Sequence, residues 1–176
     1  DDYELKEING KADIAKNNFY LNDLNATANT KNLLVKFEKS LPAVNVGEAN
    51  ITLKNSKLKF DLFSPIYKGK KLDGSSVVIN NIFDEKSANL ELFIKTKSIY
   101  DEAINEILKA YKIIVPVRQL SGKMDASLKI LIKLDEKSLE NFDEKSVIAN
   151  GEFKLSDAVL EIAGSKFNTK NALVKL

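Results

Sequence analysis

The sequence predicts a mainly β protein of long antiparallel strands with one buried face, and a single amphipathic helix laid on that face. Two patterns carry this prediction. Apolar and polar residues alternate through most of the chain, which is the period of a strand with one buried side. Only the stretch from Ile99 to Lys112 changes to helical spacing. With 176 residues, 44% hydrophobic and 30% charged, the chain has the size of one domain around a single core, taken here as residues 1–176.

In chain order, strands are expected at Gly10 to Ile14, Phe19 to Ala28, Leu33 to Phe37, Ala49 to Leu53, Lys57 to Phe63, Ser75 to Phe83 and Ala88 to Thr96. Within Phe19 to Ala28 the apolar phase slips between Leu21 and Leu24, which predicts a bulge. From Ile99 to Lys112, the residues Ala103, Ile104, Ile107, Leu108 and Tyr111 form one face, with Asp101, Glu102, Asn105, Glu106, Lys109 and Lys112 opposite. Ser98 is the expected N-cap, Asp101 makes the first turn acidic, and Pro116 follows the end. The helix needs an apolar partner, most simply the apolar face of the sheet.

The clearest strand follows. Leu120, Gly122, Met124, Ala126, Leu128, Ile130, Ile132 and Leu134 share one face, and Lys123, Asp125, Lys129 and Lys133 lie on the other. At about 3.3 Å per residue such a strand extends about 50 Å, much longer than usual, and calls for an extended sheet. The last strands are expected at Gly151 to Leu155, Ala158 to Ala163 and Ala172 to Leu176. A loose repeat links Ile14 to Leu21, Leu53 to Phe60 and Leu155 to Ile162, each read as strand, tight turn, strand, which favours a sheet grown by serial hairpins.

Composition excludes whole classes of chemistry. There is no Cys and no His, so the common zinc ligand sets, a Cys nucleophile, a Ser-His-Asp triad and disulfides are ruled out. The 27 Lys and Arg nearly balance 25 Asp and Glu, and Arg118 is the one arginine, so the guanidinium contacts of nucleic-acid readers are almost absent. No nucleic-acid partner, metal or cofactor is expected. No run approaches the roughly 18 apolar residues of a spanning helix. The chain opens without Met and closes on Ala172 to Leu176, which reads as the middle of a strand, so a piece of a longer protein is expected.

The remaining motifs have bland readings. The tetrapeptide DEKS at Asp84, Asp135 and Asp143 is turn chemistry, because a calcium loop needs oxygen ligands at fixed positions and a Lys interrupts each cluster. Asp61 and Asp73 do not by themselves make a glycosidase pair, which needs two carboxyls at a set separation. The stretch Ser64 to Gly74 is a turn joining two strands, with Lys68, Lys70 and Lys71 as a basic cluster for anionic head groups in a weaker alternative. Asn25 in Asp23 to Thr27 and Asn50 in Glu48 to Thr52 fit the extended acidic sequon of bacterial N-glycosylation, and attached glycans require both at exposed turns or edges.

The long apolar face admits two readings. In one, a sandwich or sheet is sealed by the helix and neighbouring strands. In the other, a curled sheet keeps a greasy concave face that holds lipid tails.

Taken together, the strand Leu90 to Thr96, the helix Ile99 to Lys112, Pro116, and Leu120-Ser121-Gly122 leading into the alternating strand Leu128 to Leu134 resemble the AsmA-like superfamily of Gram-negative envelope proteins, especially its YhdP/TamB-type members. Gly151 to Leu160 is similar to that family's serial hairpins. The resemblance implies long twisted antiparallel strands curled into a groove or half-barrel, a β-taco, with the helix at about 99–112 on the concave face. It further implies a non-enzymatic periplasmic segment of a protein anchored in the inner membrane, whose apolar groove carries phospholipid between the two membranes. Met124, Leu128, Ile130, Ile132 and Leu134 would then line the groove, and Ile104, Ile107 and Leu108 would close one side. The alternative is a β-rich module that binds envelope proteins by strand addition.

Overall fold

The computed structural model describes residues 2–13, 18–36, 38, 40–84, 86–134 and 147–176. Among the described residues the strands are β1 (Asp2–Asp13), β2 (Asn18–Val35), β3 (Val44–Lys54), β4 (Lys57–Tyr67), β5 (Lys70–Lys71), β6 (Ser76–Asn80), β7 (Asn89–Ser98), β8 (Arg118–Lys133), β9 (Val147–Ile162) and β10 (Ser165–Lys175). Helix α1 (Glu102–Ala110) lies between β7 and β8. The strands form one sheet in the order β1-β2-β3-β4-β6-β7-β8-β9-β10, with the short β5 beside β4. Apart from the short β5, each strand adds antiparallel beside the one before it, which is the serial growth expected from the sequence. The sheet is open, since β1 pairs only with β2 and β10 only with β9.

One face of this sheet is buried and curls around α1. Ile104, Ile107 and Leu108 share a core with Val46 of β3, Leu62 of β4, Val77 of β6, Leu92 of β7, Ile130 of β8 and Phe153 of β9. The architecture is therefore a groove with the helix on its concave side, as predicted.

Several boundaries differ from the expectation. The helix is shorter than 99–112, and its N-cap is Asp101, not Ser98: the Asp101 carboxylate accepts from Ala103 N and Ile104 N, at 3.1 and 3.4 Å. Phe19 to Ala28 and Leu33 to Phe37 belong largely to the single strand β2. The expected slip at Leu21 to Leu24 is present, because the β1 register jumps from Asn9 opposite Asn25 to Lys11 opposite Tyr20. Gly151 to Leu155 and Ala158 to Ala163 also merge, so the third repeat copy is continuous strand and not a hairpin. The second copy does turn, at Asn55 and Ser56. The Ile14 end of the first copy lies outside the described residues.

Two seams cross the sheet. Asn32, Gly47 and Ser64 stand side by side on β2, β3 and β4, between the pairs Lys31 with Glu48 and Leu33 with Val46, and between Val46 with Pro65 and Glu48 with Phe63. Asn32 and Ser64 adopt positive φ of 55° and 50°. A left-handed residue reverses the pleat locally, so the inward set resets by one residue on each strand: Thr30 then Leu33, Val46 then Ala49, Leu62 then Pro65. A second seam runs through Gly122 of β8, Asp157 of β9 and Lys170 of β10, with φ of +97° at Gly122 and +47° at Asp157. Here Leu155 is followed inward by Ala158. On β8 the register shifts on both sides of Ser121. This corrects the placement of Leu120: it points outward, and Gln119 is buried in its stead.

Candidate functional site

The centre of the concave face is the β8 row. Met124, Leu128, Ile130 and Ile132 are all buried, Ile130 completely. Pairing sets their neighbours: Leu92 and Ile94 of β7 stand opposite Ile130 and Leu128, while Leu155 and Phe153 of β9 stand opposite Met124 and Ala126. Gly151 opposite Leu128 leaves room for that side chain, since a Cβ there would sit 3.0 Å from Leu128 Cδ1. Leu134 lies one residue past the end of β8, half-buried, with its N–H donating to Ala88 O at 2.9 Å.

Helix α1 lies over the adjoining floor. That floor is built by Leu62, Tyr67, Leu72, Val77 and Leu92, with Ile107 and Tyr111 above. The cavity left between them is about 30 Å³, room for no more than a few water molecules. Beside it, Tyr100, Val115 and Val117 cover Met124, Phe153, Leu155 and Leu160, with the Tyr100 ring edge-on to Phe153 at 6.5 Å and 81°. The predicted lining residues Met124, Leu128, Ile130 and Ile132 therefore share one core with Ile104, Ile107 and Leu108, while Leu134 lies outside that cluster, and the protein's own side chains fill the space above the core. Tyr67, Leu72 and the Val115/Val117 cover were not read from the sequence. The apolar spacing of Ile113, Val115 and Val117 was the available signal for the last of these.

The helix is also held by charge at the β4–β5 hairpin. Lys68 pairs with Glu106, and Lys70 Nζ lies 2.6 Å from Asp101 Oδ2 and 2.8 Å from the Ser98 hydroxyl. Asp101 thus caps α1 with one oxygen and binds Lys70 with the other. The Glu106 hydrogen bond raises the pKa of Lys68. Burial, and then the Glu106 charge, raise that of the Tyr67 phenol. Burial also pushes the Tyr111 phenol up.

At both flanks the concave face is bare. Leu5 and Ile8 of β1 lie on the inward side of Ala28 and Ala26, and are 59% and 60% exposed. On the other flank Phe167 stands opposite the buried Leu160 and is 50% exposed. Ile114, beside the covering segment, is 84% exposed.

The convex face carries charged and amide pairs, interspersed with exposed Leu34, Phe63, Ile66, Ile148 and Leu173. Lys129 Nζ lies 2.8 Å from Glu91, whose other partner is Asn80 Nδ2 at 2.9 Å, and these contacts, the Lys129 one foremost, hold the Glu91 carboxyl below its ordinary pKa. Asp61 pairs with Lys59 at 2.8 Å. Asn29 Nδ2 donates to Glu48 at 2.7 Å and to Asn50 Oδ1 at 2.9 Å. The two sequon asparagines lie within strands, Asn25 on β2 and Asn50 on β3, and not at turns. Of the DEKS copies, Asp84 forms a turn, with Ser87 Oγ donating to it at 2.6 Å and Lys86 N at 3.1 Å, and these bonds lower its pKa. The other two lie outside the described residues.

An antiparallel sheet grown strand by strand and curled so that a continuous apolar face lies inside defines a β-groove protein. The chain belongs to the YhdP protein family, whose model matches residues 8–176. No curated protein and no solved structure matches it. Among the described residues no helix is long and apolar enough to cross a membrane.

Proposed function

We propose that this chain is a non-enzymatic, periplasmic segment of an inner-membrane-anchored protein whose groove carries phospholipid between the two membranes of the envelope. One observation carries the reading. The apolar concave face continues past the helix on both sides, at Leu5 and Ile8 and again at Phe167, where side chains on the core side meet solvent. Exposed apolar surface continuous with a core marks a binding surface. Acyl chains lie there while head groups stay in water, each buried CH₂ contributing about 0.8 kcal/mol.

Native mass spectrometry after mild extraction tests this directly, with co-purified phospholipid expected. Ile8→Lys and Phe167→Lys change side chains that are already half in water, so the fold is retained and binding of a fluorescent-tail phosphatidylcholine falls. No bound lipid, together with unchanged probe binding in both variants, refutes the reading. A second reading is strand addition by an envelope partner, for which β10, eleven residues with one neighbour among the described residues, is the candidate edge. Partner binding lost on Asn171→Pro with lipid binding intact would select it.

A further inference from the structure

Helix α1 has the chemical layout of the cargo that the groove is proposed to carry. Its apolar stripe, Ile104, Ile107 and Leu108, lies in the trough. Its acids, Asp101 and Glu106, meet Lys70 and Lys68 at the rim. An amphiphile with an acyl chain and a negatively charged head would make the same two sets of contacts. We infer that the floor under α1, together with Lys68 and Lys70, is a binding site for an anionic amphiphile, which α1 occupies as an internal stand-in and vacates on loading.

Four features support an exchange of this kind. First, helix and ligand exclude one another, because the space between α1 and the floor is about 30 Å³, too small for any chain. Second, α1 is separable. Its nine residues are too few to be stable alone, so it stays helical through its contacts, and no strand of the sheet pairs with it. It hangs between Ile99–Tyr100 and the stretch Tyr111 to Val117, neither of which belongs to a strand.

Third, the floor is complete without the helix, since Leu62, Tyr67, Val77 and Leu92 come from paired strands and Leu72 from the turn that follows β5. Fourth, the two lysines sit on the β4–β5 hairpin, whose pairing Ile66 with Lys71 and Tyr67 with Lys70 fixes them at the trough's rim independently of α1. With α1 seated the Lys70 side chain is 12% exposed; when Asp101 lifts away the ammonium keeps the Ser98 hydroxyl but loses its counter-charge, which an anionic head group would restore. A neutral or zwitterionic head group restores it less well, which makes the site selective by charge.

The inference rests on the groove reading above, and the experiment separates the two. Fluorescent-tail phosphatidylglycerol and phosphatidylcholine with identical acyl chains are titrated onto the protein, while hydrogen exchange of the α1 amides is followed. Phosphatidylglycerol is expected to bind about tenfold tighter and to speed exchange over residues 102–110. Asp101→Asn with Glu106→Gln keeps an N-cap side chain but breaks both ion pairs, and is expected to bind both lipids several-fold tighter. Lys68→Met with Lys70→Met abolishes the preference for phosphatidylglycerol, and Lys68→Arg with Lys70→Arg restores it.

Equal binding of the two lipids by the unaltered protein overturns the inference and leaves the groove reading standing. So does unchanged α1 exchange on loading, or a preference that survives Lys68→Met with Lys70→Met. Binding of neither lipid overturns both.

Discussion

Replacing Gly122 by alanine tests the second seam. At φ +97° an L side chain is strained whatever its surroundings, at a cost of about 1–3 kcal/mol. The surroundings add to this. A Cβ at Gly122 would lie 2.6 Å from Ala158 Cα, 2.6 Å from Asp157 O and 2.8 Å from Ser156 O. All three belong to the backbone of β9, so no rotamer change relieves the clash. Contact distances near 3.5–4 Å are comfortable, so the strands must separate by about 1 Å, at the about 1–3 kcal/mol typical of overpacking.

The sum is about 4 kcal/mol. With a urea m-value of about 2 kcal/mol/M the midpoint falls by about 2 M. Gly164→Ala is the matched control, because Gly164 has φ +80° but open space around it, leaving the strain of about 2 kcal/mol alone and a shift of about 1 M, half that of Gly122→Ala. Equal midpoint shifts for the two variants in urea denaturation followed by circular dichroism would refute the close approach of β8 and β9 at the seam.

Other consequences are measurable in the same way. Ile130→Ala removes a completely buried side chain and is expected to cost about 2–5 kcal/mol, whereas Ile114→Ala, 84% exposed, stays within about 0.5 kcal/mol in the same urea titration. Asp101→Ala loses the cap and the Lys70 contact together and destabilises by about 1–2 kcal/mol. Asp101→Asn recovers the capping share, so equal losses would contradict the dual role of this carboxylate. Glu91 has a depressed folded-state pKa, so its contribution is fully present above the ordinary carboxylate range near about 4.3 and is lost as pH falls through the lower folded value. The stability gap between the protein and Glu91→Gln should therefore close in acid, and a gap independent of pH down to pH 2 would contradict the Lys129–Glu91–Asn80 network. Asn50 lies on a strand paired on both sides, so an oligosaccharyltransferase should modify a peptide spanning Glu48 to Thr52 but not the folded protein, as read by intact mass.

What the sequence revealed, and what it concealed, follows from the range of the interactions involved. From Met124 to Ile132 a strict alternation meets a sheet with one dry side, and the buried set is the one that the pattern names. The helix is equally plain, because a change of period is a local property. Its cap falls three residues later than the sequence places it: Ser98 and Asp101 are both good caps in isolation, and it is the non-local pairing of Ser98 with Met124 that keeps Ser98 in β7 and leaves the cap to Asp101. The seams were concealed for a related reason. Asn32, Ser64 and Asp157 adopt positive φ without being glycine, and their alignment into seams is a property of the pairing with neighbouring strands, not of the local sequence. Ser156-Asp157 has the chemistry of a turn, so β9 was divided there. Leu120 was placed inward by extrapolating an alternation that stops at Gly122. The cover from Tyr100, Val115 and Val117 depends on contacts with β8 to β10, which no local pattern records.

A trough that its own helix fills also bears on how the protein behaves in solution. A long channel of isoleucine and leucine side chains open to water would draw molecules together, and its stickiness would grow with every added strand. With α1 seated, the inward side chains Met124, Ala126, Leu128, Ile130 and Ile132 are buried. Self-association is then governed by the small fraction of molecules in which the helix has lifted, and by the bare margins at Leu5, Ile8 and Phe167. Colloidal stability and cargo capacity are thereby set by the same equilibrium: a variant that opens more readily should also precipitate more readily.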